Sequence, residues 1–106
     1  MATIKSYSDL QQSKKLSEIL PLESADMYYE DDISVEFGHG WHSQHIPCWS
    51  LAALLGVLPD YSLQTNIDGT VFVVCESKKP MISDSYNNPV DACVAMIEKL
   101  HKLKML

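Results

Sequence analysis

The chain has 106 residues, 46% of them hydrophobic and 21% charged, the composition of one globular domain with its own core. Fourteen acids against eight bases leave a net charge of -6, which argues against a nucleic-acid surface built from clustered basic side chains. No window holds the roughly 18 uninterrupted apolar residues of a membrane span, and Met1 to Tyr7 lacks the apolar core of a signal peptide. The expected address is the cytoplasm, with no membrane and no nucleic-acid partner.

Cysteine usage agrees with that address. Cys48, Cys75 and Cys93 are far apart and odd in number, so free buried thiols are expected rather than a disulfide framework. An acidic DNA mimic would need dense acids on one face. The tight acidic run is Glu30-Asp31-Asp32, and ordinary solubilising charge accounts for it.

In chain order, Ser8 with Gln11 three residues later suggests a capping box opening a helix over 9–20. Leu16, Ile19 and Leu20 give it a thin apolar stripe, and Pro21 ends it. Residues 21–32 read as a connector, in which Ala25 to Tyr29 has room for a further helical turn. Ile33, Val35 and Phe37 alternate with polar residues as a half-buried strand does. Gly38-His39-Gly40 is a turn, and Trp41 to Ile46 the expected return strand.

Pro47 is expected to start a second helix. Its Leu51, Leu54, Leu55 and Leu58 share one face, and Ala52, Ala53 and Val57 make the rest apolar, so it is expected at the centre of the domain. Tyr61 to Ile67 then alternates. Asp68-Gly69 fits a two-residue type I′ turn, with Thr70 to Glu76 returning. That turn sets Thr65 opposite Phe72 and Leu63 opposite Val74. Leu63, Ile67, Phe72 and Val74 would then share the core face, while Val71, Val73 and Cys75 would face away. Residues 77–87 read as a loop. Asn88 as N-cap and Pro89 at the first position open the last helix, with Cys93, Ile97, Leu100 and Leu103 as its buried stripe.

The expected fold class is therefore α+β: an antiparallel sheet built from two hairpins, with three helices packed mainly on one side, in a single domain over 1–106. The expected core is Leu16, Ile19, Val35, Phe37, Trp49, Leu51, Leu54, Leu55, Leu58, Leu63, Phe72, Val74, Val94, Ile97 and Leu100.

Candidate chemistry is sparse. His39, His42, His45 and Cys48 recur every three residues, and imidazole and thiolate are preferred zinc ligands. Residues three apart on a strand point to opposite faces, so regular pairing scatters them, and turn or packing roles are the plainer reading. Cys48 in a helix's first turn would have a lowered pKa and could serve as the nucleophile of a thiol enzyme, although a small core residue is the plainer role. Trp41 and Trp49 are either partner anchors or a lid over the core. There is no paired-carboxylate, phosphate-loop or serine-nucleophile motif, so no catalytic residue and no cofactor are assigned. Partner binding or self-association is expected through Val71 and Val73, with Trp41 as a further candidate, if that face of the second hairpin stays uncovered.

Four stretches resemble a known family. They are Ile46-Pro47-Cys48-Trp49-Ser50-Leu51-Ala52-Ala53-Leu54-Leu55 closed by Pro59, Asn88-Pro89-Val90-Asp91-Ala92 leading into the last helix, Gln12-Ser13-Lys14-Lys15-Leu16, and Ala25-Asp26-Met27-Tyr28. The family comprises small uncharacterised proteins encoded by phages and integrated mobile elements of gut bacteria. The resemblance covers most of the chain except the middle and residues 77–87, and it does not mark the histidines as a family signature. It implies a phage or mobile-element setting and no activity. Together these readings favour a non-enzymatic accessory protein acting by protein–protein binding, ahead of a zinc-binding module and a thiol enzyme.

Overall fold

Asp9 begins the first helix. The computed structural model describes residues 5–29, 35–37, 46–76 and 80–104. In it α1 spans Leu10–Ile19, and the capping box is Asp9 with Gln12, one residue later than the Ser8–Gln11 pair expected. The Gln12 N–H donates to Asp9 Oδ1 and the Asp9 N–H to Gln12 Oε1. Ser8 is instead drawn inward, because its Oγ accepts the Trp49 N–H and its own N–H donates to the Trp49 carbonyl.

A 3-10 turn over Leu22–Ser24 leads to β1, Met27–Tyr29, a strand where the sequence leaves room for a helical turn. β1 is the centre of a three-stranded antiparallel sheet, between β2 at Val35–Phe37 and β3 at Ile46–Cys48. Met27 pairs with Phe37 on one side and with Cys48 on the other. Pro47 therefore lies in an outer strand, where a missing N–H is tolerated, and does not start a helix. The expected turn at 38–40 and most of the strand 41–46 lie outside the described residues.

The second helix, α2, is Leu51–Val57, capped by Ser50, whose Oγ accepts the Ala53 N–H. Asp26 accepts both the Ser50 N–H and the Ser50 hydroxyl, tying α2 to the entry of β1. Leu54 and Leu58 are buried but Ala52 and Gly56 are exposed. The helix is thus one-sided and lies at the surface, not at the centre.

Two strands follow: β4 at Tyr61–Thr65 and β5 at Val71–Cys75. They form the expected hairpin, but in a different register, Thr65 with Val71, Leu63 with Val73 and Tyr61 with Cys75. The cause is the turn. A type I′ turn needs positive φ at both central residues, and here Gly69 has it, φ +90, whereas Asp68 does not. The loop is instead Ile67-Asp68-Gly69, closed by the Asn66 N–H donating to the Thr70 carbonyl. Asp68 does not take a positive φ, and its carboxylate accepts the Thr70 N–H and hydroxyl. This places the one left-handed residue of the turn on glycine, which takes it without a Cβ clash.

Residues 80–87 are more ordered than the loop expected. β6, Met81–Ile82, pairs with β5, and Tyr86 bridges to Val71 farther along. Between them the Ser83 N–H donates to the Val73 carbonyl while Ser83 Oγ accepts the Val73 N–H. The second sheet has the order β4-β5-β6.

The last helix, α3, is Pro89–Lys102, with Asn88 as N-cap accepting the Asp91 N–H, as expected. It packs against β5, α2 and α1. Val90, Ala92, Cys93, Met96, Ile97 and Leu100 are buried there with Trp49, Leu54 and Val73. A smaller cluster of Met27, Tyr29 and Cys48 sits under the first sheet. The architecture is thus α+β, with two three-stranded antiparallel sheets among the described residues in place of the single sheet expected. Among the described residues no helix is long and apolar enough to cross a membrane.

Candidate functional site: the open face of the second sheet

β5 alternates strictly, with Val71, Val73 and Cys75 buried and Phe72 and Val74 half-buried. Val73 is 0% exposed, in the core beneath α3. The residues expected to form an uncovered binding face, Val71 and Val73, are therefore core, and that assignment is corrected. The turn register is the physical reason, because a one-residue slip exchanges the two faces of a strand.

The opposite face of the sheet also carries apolar side chains. Phe72 and Val74 lie on it, and Ile82, paired with Val74, is 56% exposed there. Ser62 and Gln64 of β4 are their cross-strand neighbours. Among the described residues, the helix that packs on β5 is α3, on the other side. A molecule with extents of 38 × 37 × 18 Å is thick enough for one helix layer on one sheet. Phe72, Val74 and Ile82 are the surface residues that the sequence reading missed. The signal available was the choice between two turns in Asn66-Ile67-Asp68-Gly69-Thr70. The other residues expected to be buried that fall outside are Phe37 on β2, Leu63 on β4, Ile67 in the turn and Leu103 at the end of α3, all exposed.

Cys48 is placed at the end of β3, three residues before α2, so no helix dipole acts on it. It is fully buried and its thiol donates to the Ser8 carbonyl, which also accepts the Tyr29 hydroxyl. Burial pushes the Cys48 thiol up, outweighing the opposing hydrogen bonds with Ser8 and Ser13. Burial, with Cys48 next, likewise holds the Tyr29 hydroxyl protonated. A hidden, protonated thiol is the reverse of what a nucleophile needs. Ser8 and Ser13, hydroxyls 2.7 Å apart, complete a buried polar knot that fixes the N-terminal segment to β3. Cys93 is similarly inert, its thiol pushed up to about 12 by burial and then by Cys75. His39, His42, His45 and Trp41 lie outside the described residues, and among the described ones no cluster of three His, Cys, Asp or Glu is placed to hold a metal.

Two clefts run along the exposed side of α3 and share Tyr86, Ala95 and Glu98. The larger, about 410 Å³, is bordered by Lys5, Asp9, Gln12 and Asp91. These groups already serve one another. Lys5 Nζ donates to Asp91 at 2.7 Å and to Asp9 at 3.0 Å, while Gln12 and Asn88 donate to the two Asp91 oxygens. Burial would raise the Asp91 pKa, but the bonds from Lys5, Gln12 and Asn88 prevail and hold its carboxyl below the usual range. The same balance, with the Gln12 N–H and Lys5 as donors, lowers Asp9. The cluster staples the N-terminus of α1 to that of α3 and leaves no poised acid or base.

No family model matches the chain, and no curated protein or solved structure is significantly similar to it.

Proposed function

We propose that this chain is a non-enzymatic accessory protein that works by binding another protein through the open face of its second sheet. The observation that carries the reading is that Phe72, Val74 and Ile82 stand on the side of the sheet away from α3. Apolar side chains gathered on one sheet face mark a contact surface in a soluble domain. The phage or mobile-element setting implied by the resemblance belongs to the same proposal. The inert cysteines and self-satisfied carboxylates support a binding role over a catalytic one. The zinc reading loses weight because Cys48, its fourth ligand, is buried and committed to the Ser8 carbonyl.

The test is capture of partners from the producing cell with wild-type protein and with Val74→Asp. Val74 is half-buried, so the variant is expected to stay folded and to lose a partner that wild type retains. Retention of that partner by both Val74→Asp and Phe72→Ser would overturn the reading.

A further inference from the structure

β4 is an outer strand of the second sheet, and among the described residues nothing pairs with its free side. Natural outer strands are protected by lysine, proline or a bulge. Tyr61-Ser62-Leu63-Gln64-Thr65 carries none of these and no charge. Antiparallel pairing fixes which backbone groups are free. Asn66 N–H donates to Thr70 and Glu76 N–H donates to Asp60, so residues 60 and 66 bond inward to β5. By the period of two, Ser62 and Gln64 also bond inward, and Tyr61, Leu63 and Thr65 turn their N–H and C=O outward. The side chains of these same three lie on the α3 side, opposite Cys75, Val73 and Val71. α3 covers β5 but leaves Tyr61 and Leu63 exposed.

We infer that the free edge of β4 joins two copies of this chain, β4 antiparallel to β4, with the two-fold axis at Leu63. In that register Tyr61 meets Thr65 of the second copy and Leu63 meets Leu63, so every outward donor of the strand finds an acceptor. The stranded Tyr61 and Leu63 side chains cover one another across the axis. Ser62 falls opposite Gln64, a polar pair on the open face. Strand length selects the same register. Centred on Leu63, all three outward residues pair within Tyr61–Thr65, whereas centred on Gln64, Tyr61 falls opposite Ile67 in the turn, where no ladder continues. Centring on Ser62 places Thr65 opposite Pro59, which has no N–H to give. The pairing is isologous and closes at two copies, giving one continuous sheet of doubled width. The inference does not depend on the open-face reading, and it extends it, because the joined sheet presents two copies of Phe72, Val74 and Ile82 on one side.

Sedimentation of the wild-type chain across a concentration series tests it, with Leu63→Lys as the disrupting variant. The expected result is a two-copy mass whose dissociation constant rises roughly tenfold or more when two lysines meet at the axis. Leu63→Cys gives an independent readout. Hydrogen-bonded antiparallel partners have Cα atoms about 5.5 Å apart, within disulfide reach. Under mild oxidation Leu63→Cys is expected to cross-link two chains, and Ser62→Cys, displaced from its own copy, is not. A one-chain mass at every concentration, or equal cross-linking of the two cysteine variants, would overturn the inference. Val74→Asp is expected to keep the two-copy mass while losing the partner, so failure at the edge and failure of the open face are separately visible.

Discussion

Replacing Val73 and Val74 by alanine, one at a time, tests which face of β5 is core. Both changes remove the same two methyl groups from adjacent residues of one strand, and both lose the same β-propensity. At Val73, which is 0% exposed, two buried carbons at about 0.8 kcal/mol each give about 1.6 kcal/mol. The residual cavity between α3 and the sheet raises this to about 2–3 kcal/mol. Val74 is half-buried and opens no enclosed cavity, so its loss is about 1 kcal/mol or less. Urea unfolding of the three proteins, with unchanged slopes, gives the comparison. A larger loss at Val74 than at Val73 would refute the reasoning, because it would restore the register of a two-residue turn.

Asn88→Ala removes both the cap on the Asp91 N–H and a donor to the Asp91 carboxylate, and is expected to cost about 1 kcal/mol, read as a lower denaturation midpoint. Cys48, Cys75 and Cys93 are free and buried, so a thiol reagent should react slowly with the native chain and find three thiols in unfolded, non-reduced protein; finding one would reveal a disulfide. The lowered Asp9 and Asp91 carboxyls contribute stability that is present above the unfolded value of about 3.9 and is lost as pH falls through their folded values. Lys5→Ala is expected to cost less than about 1 kcal/mol near neutral pH, because the pairs are partly exposed, and to flatten the acid limb of the stability profile. An unaltered acid limb would show that Lys5 does not hold those carboxyls.

Features set by local chemistry were legible in the sequence, and those set by distant partners were not. Asn88-Pro89 fixes the start of α3 through its own side chain and ring, and the structure keeps that boundary. The start of α1 was ambiguous because Ser8–Gln11 and Asp9–Gln12 are both capping boxes. Asp9 takes the role because Ser8 is held by Trp49, 41 residues away. β1 has no alternation of its own. Met27 becomes a strand residue because Phe37 and Cys48 arrive on either side of it. An exposed sheet face was legible as an idea, from a second hairpin that is apolar on both sides. Its residues were inverted, because Asp68-Gly69 supports two loop lengths and the choice between them depends on the φ of Asp68. Val73 and Cys75 share one buried cluster with Ala92 and Cys93 of α3, a grouping that becomes apparent once the two elements are in contact.

The side of the second sheet away from α3 is the proposed binding surface. Hydroxyl-radical labelling of the chain, free and in complex with its captured partner, tests it residue by residue. Phe72 and Ile82 are expected to be labelled in the free protein and protected in the complex, while Tyr86 in the α3 clefts stays unchanged. Unaltered labelling of Phe72 and Ile82, with protection moved to Tyr86, would contradict it.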